Sequence, residues 1–270
     1  MNNMLTRAIS GTVFVSLLVF SILYNAILFS GMFYILMMIS IFEFSRMLHL
    51  KNFSIYVIAT LLYMSSQLSI WNITPIYTDT LATLGILSVF INTLFSKKET
   101  PIKGLSNLLL CLAYACIPYI IISRIPYTNF SNSYESILIL GVFIMIWSND
   151  TFAYLVGMSI GKHKLLERIS PKKTIEGFIG GVIATLIVSY LLALQFAVLP
   201  TLQWLIVGIL VSLFGVIGDL VASMFKRQTG VKDTGNIIPG HGGVLDRLDS
   251  IIFAAPFIYL YLKLITAHVS

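Results

Sequence analysis

The sequence predicts an all-α integral membrane protein: a polytopic bundle of about nine transmembrane helices, N-terminus cytoplasmic and C-terminus outside. Three observations predict it. Of the 270 residues, 57% are hydrophobic and only 10% charged, where a soluble domain carries about 25% charged residues. The apolar residues are gathered into runs of about 20, the length that crosses a bilayer. The basic residues lie between those runs and favour alternate gaps.

The runs fall near 8–24, 26–45, 54–71, 78–95, 105–122, 135–160, 175–198, 201–224 and 250–267. Arg7 precedes the first run, and no small-x-small cleavage pattern follows it. The run is therefore expected to stay as span one. Runs one and two, fused, would make a helix of about 40 residues, too long even when tilted, so a tight hairpin is expected at Asn25. With the N-terminus inside, fifteen of the 17 Lys and Arg residues fall on the inner side, Lys97 and Lys98 among them. Only Arg124 and Lys263 fall outside. This is the positive-inside pattern. The net charge of +6 then belongs to the inner loops, where it also attracts anionic lipid heads. Basic residues split among short loops do not make a nucleic-acid surface. Cys111 and Cys116 lie in one apolar run and read as small buried hydrophobes, not as a disulfide or zinc site. Two regions are expected: 1–134, spans one to five, as scaffold, and 135–270, spans six to nine, with the polar inner loops.

Polar residues out of place mark the second region. A charge at the bilayer centre costs about 2.5–3.5 kcal/mol on insertion scales. Asp219 follows Gly215-Val216-Ile217-Gly218 inside span eight. On a helix, Asp219, Ser223 and Lys226 share one stripe, either as a structural Asp–Lys pair or as part of a site. The loop after it, 226–249, mixes glycines, bases and acids. Gly240, Gly242 and Gly243 permit close backbone approach. Such a turn, opening onto span nine, can aim backbone N–H groups at phosphate. Asp246 and Asp249, three apart, can share a face and supply hard oxygen ligands with Asp219. Magnesium takes one or two carboxylates plus water and substrate phosphates. His241 has no histidine partner at metal-ligand spacing from among His49, His163 and His268, and reads as a structural or phosphate-contact residue ahead of an acid–base one.

A second cluster is Ser148-Asn149-Asp150-Thr151 in span six. Asp150 is either a buried hydrogen-bonding residue or part of a site. Ala153, Gly157 and Gly161 follow at intervals of four, a spacing that suits close helix packing. Ser170-Pro171 reads as an N-cap with proline at the first helical position. That places Lys172 and Lys173 in a first turn, where cations oppose the helix dipole. Either a bound anion compensates them or they are a solvated pair serving topology.

The stretch Ser223-x-Phe225-Lys226-Arg227-x4-Lys232-Asp233-x-Gly235-x2-Ile238-Pro239-x-His241-Gly242-Gly243-Val244-x-Asp246-Arg247-Leu248-Asp249 resembles the signature of phosphatidate cytidylyltransferases (CDP-diacylglycerol synthases). Ser148-Asn149-Asp150 and Ser170-Pro171-Lys172-Lys173-Thr174-x-Glu176-Gly177 are also similar to that family's. Specific resemblance covers roughly residues 145–255. It implies transfer of CMP from CTP to phosphatidic acid, with release of pyrophosphate, at the plasma (cell inner) membrane. It implies Mg²⁺, with a monovalent cation such as K⁺ beside it, and a homodimer. Asp219 and Asp246 become the leading metal ligands and, with Lys226, the catalytic set. Asp249 follows as a ligand, and Asp150 with Asn149 after it. Lys172, Lys173, Ser223, Arg227, Lys232, His241, Gly242, Gly243 and Arg247 become candidates for binding the triphosphate and the lipid phosphate. Two other readings are weighed. A CTP-dependent lipid kinase would need the same nucleotide chemistry with an alcohol acceptor. A transporter could line an ion path with Asp150 and Asp219, yet has no need of a triphosphate cradle. The Asp-Gly-x2-Ala-Arg core of CDP-alcohol phosphotransferases is absent.

Overall fold

The computed structural model describes residues 3–95, 101–128 and 133–267. Lys97 and Lys98, counted above among the inner basic residues, and His268 lie outside the described residues. Among the described residues there are ten α-helices: α1 (Asn3–Tyr24), α2 (Ala26–Met47), α3 (Ser54–Ile70), α4 (Ile76–Leu94), α5 (Pro101–Ala115), α6 (Ile117–Arg124), α7 (Ser136–Ile160), α8 (Ile175–Gln195), α9 (Thr201–Gln228) and α10 (Leu245–Ala267). A short antiparallel hairpin, β1 (Lys164–Leu166) and β2 (Ser170–Thr174), precedes α8.

The expected break at Asn25 is present. Its backbone is extended (φ −168°), and its side chain accepts the Leu28 amide at 2.7 Å, which caps α2. The run at 105–122 is split into α5 and α6. Pro118 has no N–H to donate and its ring opposes a continuous turn. Among the described residues, seven helical segments are long and apolar enough to cross a membrane, with Ile102–Tyr127 counting as one. The expected nine included α3 and α4, which are not among the seven. α3 has 17 residues, and α4 is diluted by Asp79, Asn92 and its threonines.

Contacts group these residues into two compact units. The first joins 1–123 with 233–246; the second joins 124–232 with 247–270. In the first, α2 is the central helix, burying Phe29, Phe33, Leu36, Met37, Ile41 and Phe44. Cys111 and Cys116 are buried free thiols there, as expected. Buried polar groups in this unit pair with one another: Ser30 Oγ donates to Gln67, Gln67 Nε2 donates to Ser123 Oγ, and Ser40 meets Tyr119. In the second unit, α8 packs against both α7 and α9.

The small residues of α7 and α8 set how closely those helices approach. A Cβ on Gly177 would lie 2.6 Å from the Ala153 carbonyl oxygen and 3.1 Å from Gly157 Cα. Gly177→Ala is therefore expected to lower stability by about 1–3 kcal/mol, the usual cost of overpacking. Thermal unfolding of the detergent-solubilised protein measures it; an unchanged midpoint would show that the interface yields freely.

Candidate active site

Within the second unit the stripe on α9 is real. Ser223 Oγ donates to Asp219 Oδ1 at 3.3 Å, one turn apart, and Lys226 follows on the same face. Asp219 Oδ2 is 2.5 Å from Lys173 Nζ, and both side chains are partly buried. The route by which Lys173 arrives differs from the expectation. Ser170 does not cap a helix, and Lys172 and Lys173 are not in a first turn. They lie on β2, paired antiparallel with β1 in the register Lys164↔Thr174. The cap is Thr174, whose hydroxyl accepts the Gly177 amide at 3.1 Å. The first-turn position goes to Glu176, a carboxylate that suits the helix dipole. It also accepts the Lys162 amide (3.0 Å) and meets His163 Nδ1 (2.6 Å), tying the hairpin to α8. Strand alternation separates Lys172, which is exposed, from Lys173, which is partly buried. The charge opposite Lys173 is thus the carboxylate of Asp219.

Two more carboxylates lie within electrostatic range of Asp219. Asp249 of α10 feels the charges of Asp219, Lys226 and Asp150, and Asp150 of α7 feels those of Lys173, Asp219 and Arg247. Glycine brings the helices together. A Cβ on Gly218 would lie 2.5 Å from the Asp249 carbonyl oxygen, so the residue beside Asp219 must be glycine for α9 and α10 to touch here. Asp249 is buried, and its Oδ1 accepts the Ser250 amide at 2.8 Å. Asn149, 2% exposed, keeps a buried Oδ1 with no hydrogen-bond partner. Arg227, Lys232 and Arg247 are exposed. Among the described residues no three His, Cys, Asp or Glu side chains are close enough to hold a metal alone. Carboxylate oxygens from facing helices are nonetheless the donors Mg²⁺ takes, and it completes its shell with water and phosphate. The residues of this unit fit such an ion.

The glycine-rich loop lies in the first unit and is held there by carboxylates. Asp246 Oδ2 accepts the Thr234 amide (2.8 Å), the Gly243 amide (3.0 Å) and the Thr234 hydroxyl (3.0 Å). Glu43 of α2, 1% exposed, accepts the Val244 amide on Oε1 (3.0 Å) and the Leu245 amide on Oε2 (2.9 Å). The backbone N–H groups of 243–245 thus face the protein's own carboxylates. Ile238, Pro239, Gly240 and His241 form a turn closed by the His241 amide on the Ile238 oxygen (2.9 Å). Gly240 has φ +76°, which glycine adopts without strain. α1 holds this turn: Arg7 Nε donates to the Gly240 oxygen (2.7 Å) and Ser10 Oγ to the Pro239 oxygen (2.8 Å). His241 Nδ1 is 3.0 Å from Ser10 Oγ.

Sequence reasoning missed Glu43, Thr234, Arg7 and Ser10 in these roles. One signal was present: Glu43 is a carboxylate inside the apolar run Ile41-Phe42-Glu43-Phe44, where a charge needs a partner. The bonds to Asp246 imply a measurable consequence. Hydrogen bonds to a charged group contribute about 1.5–3 kcal/mol each. Asp246→Asn is expected to loosen the loop, so that trypsin cuts after Lys232 at least several-fold faster. Equal cutting rates would show that Asp246 does not hold the loop.

The chain matches the model of the cytidylyltransferase family over residues 5–265. It is 34% identical over 272 residues to a phosphatidate cytidylyltransferase of Bacillus subtilis (strain 168), covering 98% of this chain and 99% of that one. A phosphatidate cytidylyltransferase of Staphylococcus aureus (strain COL) is 52% identical over 126 residues, 46% of this chain and 48% of that one. One from Staphylococcus saprophyticus is 42% identical over 172 residues, 63% of this chain and 64% of that one. With the family model matched across nearly its whole length, the chain belongs to the cytidylyltransferase family.

Proposed function

We propose that this chain transfers CMP from CTP to phosphatidic acid, giving CDP-diacylglycerol and pyrophosphate. The observation that carries the chemistry is the Lys173–Asp219 pair set among Asp150, Asp249, Lys226 and Arg247. The nucleophile is a phosphate monoester oxygen of the lipid. Its second pKa is about 6, so it is largely deprotonated at neutral pH and needs no strong protein base. The obstacle is repulsion between two polyanions. Catalysis then consists of positioning and charge neutralisation. An ammonium has three donors, so Lys173 can keep one on Asp219 Oδ2 and offer the others to phosphate oxygens. Lys226 and Arg247, with the exposed Lys172, Arg227 and Lys232, supply further cationic contacts.

Asp219 and Asp249 are the proposed holders of Mg²⁺ in the second unit, with Asp150 and the Asn149 oxygen next to them. Bound there, the ion would neutralise phosphate charge and fix the attacking and leaving oxygens; a K⁺ ion beside it is part of the same proposal. Asp246, also expected as a ligand, has three donors on Oδ2. Its proposed part is to organise the loop and, through the carboxylate so oriented, to contribute a metal ligand.

We infer the topology from charge. The adjacent helices α3 and α4 enter or leave the count of spans together, so every later loop keeps its side whether the spans number seven or nine. Either way the basic loops stay inside, the N-terminus is cytoplasmic and the C-terminus is outside. The site then opens to cytoplasmic CTP from a plasma membrane that holds the lipid. A homodimer, with 1–134 as scaffold and dimerisation region and 135–270 as the catalytic region, completes the proposal.

Two variants test the assignment on purified protein given CTP, phosphatidic acid and Mg²⁺. Asp219→Asn is expected to lower kcat for CDP-diacylglycerol by about 100-fold or more, the scale of losing a preorganised electrostatic group, while insertion is retained. Lys173→Met is expected to raise the KM for CTP as well as to lower kcat. Full activity in Asp219→Asn would refute the metal assignment.

A further inference from the structure

A carboxylate far from the signature in sequence holds the signature's loop. Glu43 precedes Val244 by 201 residues, yet its two oxygens take the amides of Val244 and Leu245, where α10 begins. Those amides open a helix, where backbone N–H groups lack intrahelical acceptors and carry the positive end of the dipole. A carboxylate there meets both demands, and the buried charge gains the donors it requires. The Thr234 hydroxyl lies 3.2 Å from Glu43 Oε2 and 3.0 Å from Asp246 Oδ2. It links the two acids into one network.

The glycines of the loop support the same reading. A Cβ on Gly235 would lie 2.5 Å from Glu43 Oε1. One on Gly243 would strike Glu43 Oε2 and the Thr234 hydroxyl. Neither glycine has positive φ among the described residues, so conformational freedom is not what these positions demand. They need room, and the group that fills it is Glu43. Directly after the two capped amides come Asp246 and Arg247, on the first turn of α10, and Asp249 one turn further.

We propose that Glu43 is a positioning residue for cytidylyl transfer: by capping α10 and bracing Thr234 it fixes the turn that presents Asp246, Arg247 and Asp249. The inference rests on the proposed reaction for its kinetic readout alone. Its geometric part stands on the contacts of Glu43.

The test uses the full chain purified into lipid vesicles, with Glu43→Ala, Glu43→Gln, Gly235→Ala and the double variant Gly235→Ala/Glu43→Ala. CDP-diacylglycerol formation gives kcat and the KM for CTP, and hydrogen exchange reads the Val244 and Leu245 amides. Glu43→Ala is expected to lower kcat about 100-fold, the scale of a misplacement near 1 Å, with both amides exchanging faster. Glu43→Gln, which keeps the shape and one acceptor oxygen, is expected to recover at least a tenth of the lost activity. Gly235→Ala alone is expected to lower kcat, and to cost nothing further in the double variant, where the oxygen it strikes is gone. Wild-type kcat in Glu43→Ala overturns the proposal. If Glu43→Ala does not fold, wild-type kcat in Glu43→Gln together with wild-type kcat in Gly235→Ala overturns it. A wild-type protein that forms no CDP-lipid would sink the reaction instead; the amide exchange in Glu43→Ala would still decide whether Glu43 holds the loop, unchanged exchange overturning that.

Discussion

Carboxylates inside a membrane protein must find cations or hydrogen-bond donors, because the ionised group loses its water. That constraint shapes both units. In the first, Glu43 is 1% exposed and survives there because a helix N-terminus delivers two amides to it. In the second, Asp219 meets Lys173 and Ser223. The local structure follows from these needs. A strand rather than a helix carries Lys173 to Asp219, and the turn at Ile238–His241 is pinned to α1. A site for polyanions needs cations, and the same carboxylates that would hold a metal keep those cations ordered.

Glycine serves three separate purposes in these regions. Gly240 and Gly242 adopt positive φ, a conformation that turn geometry demands and side chains resist. Gly218 and Gly177 let helix backbones meet. Gly235 and Gly243 leave space for Glu43. A glycine-rich motif next to basic residues suggests a phosphate nest in which backbone amides bind the anion. Here the anion at the amides of 243–245 is a side chain of the protein.

Much of this was legible in the sequence, and the limits have physical causes. The long helices follow from apolar runs, and the break at Asn25 from a length no bilayer accommodates. The i, i+4 bond between Asp219 and Ser223 follows from helical period alone. The cap at Thr174 was missed because Ser170-Pro171 carries the same local signal four residues earlier; pairing with Lys164–Leu166 is a tertiary contact that overrides it. The role of Glu43 could not be read from spacing, since its partners are about two hundred residues away. Only its charge within an apolar run pointed to it. The grouping of 233–246 with the first helices is equally invisible to local pattern.

The central claim is attack by a lipid phosphate on the α-phosphorus of CTP, and the fate of labelled phosphorus tests it most directly. Purified protein is given phosphatidic acid and Mg²⁺ with CTP labelled at either the α- or the γ-phosphate. The expected result is α-label in the lipid product and γ-label in pyrophosphate. Label from the γ-phosphate in the lipid would mark a CTP-dependent kinase, and no label in lipid from either position would contradict cytidylyl transfer altogether.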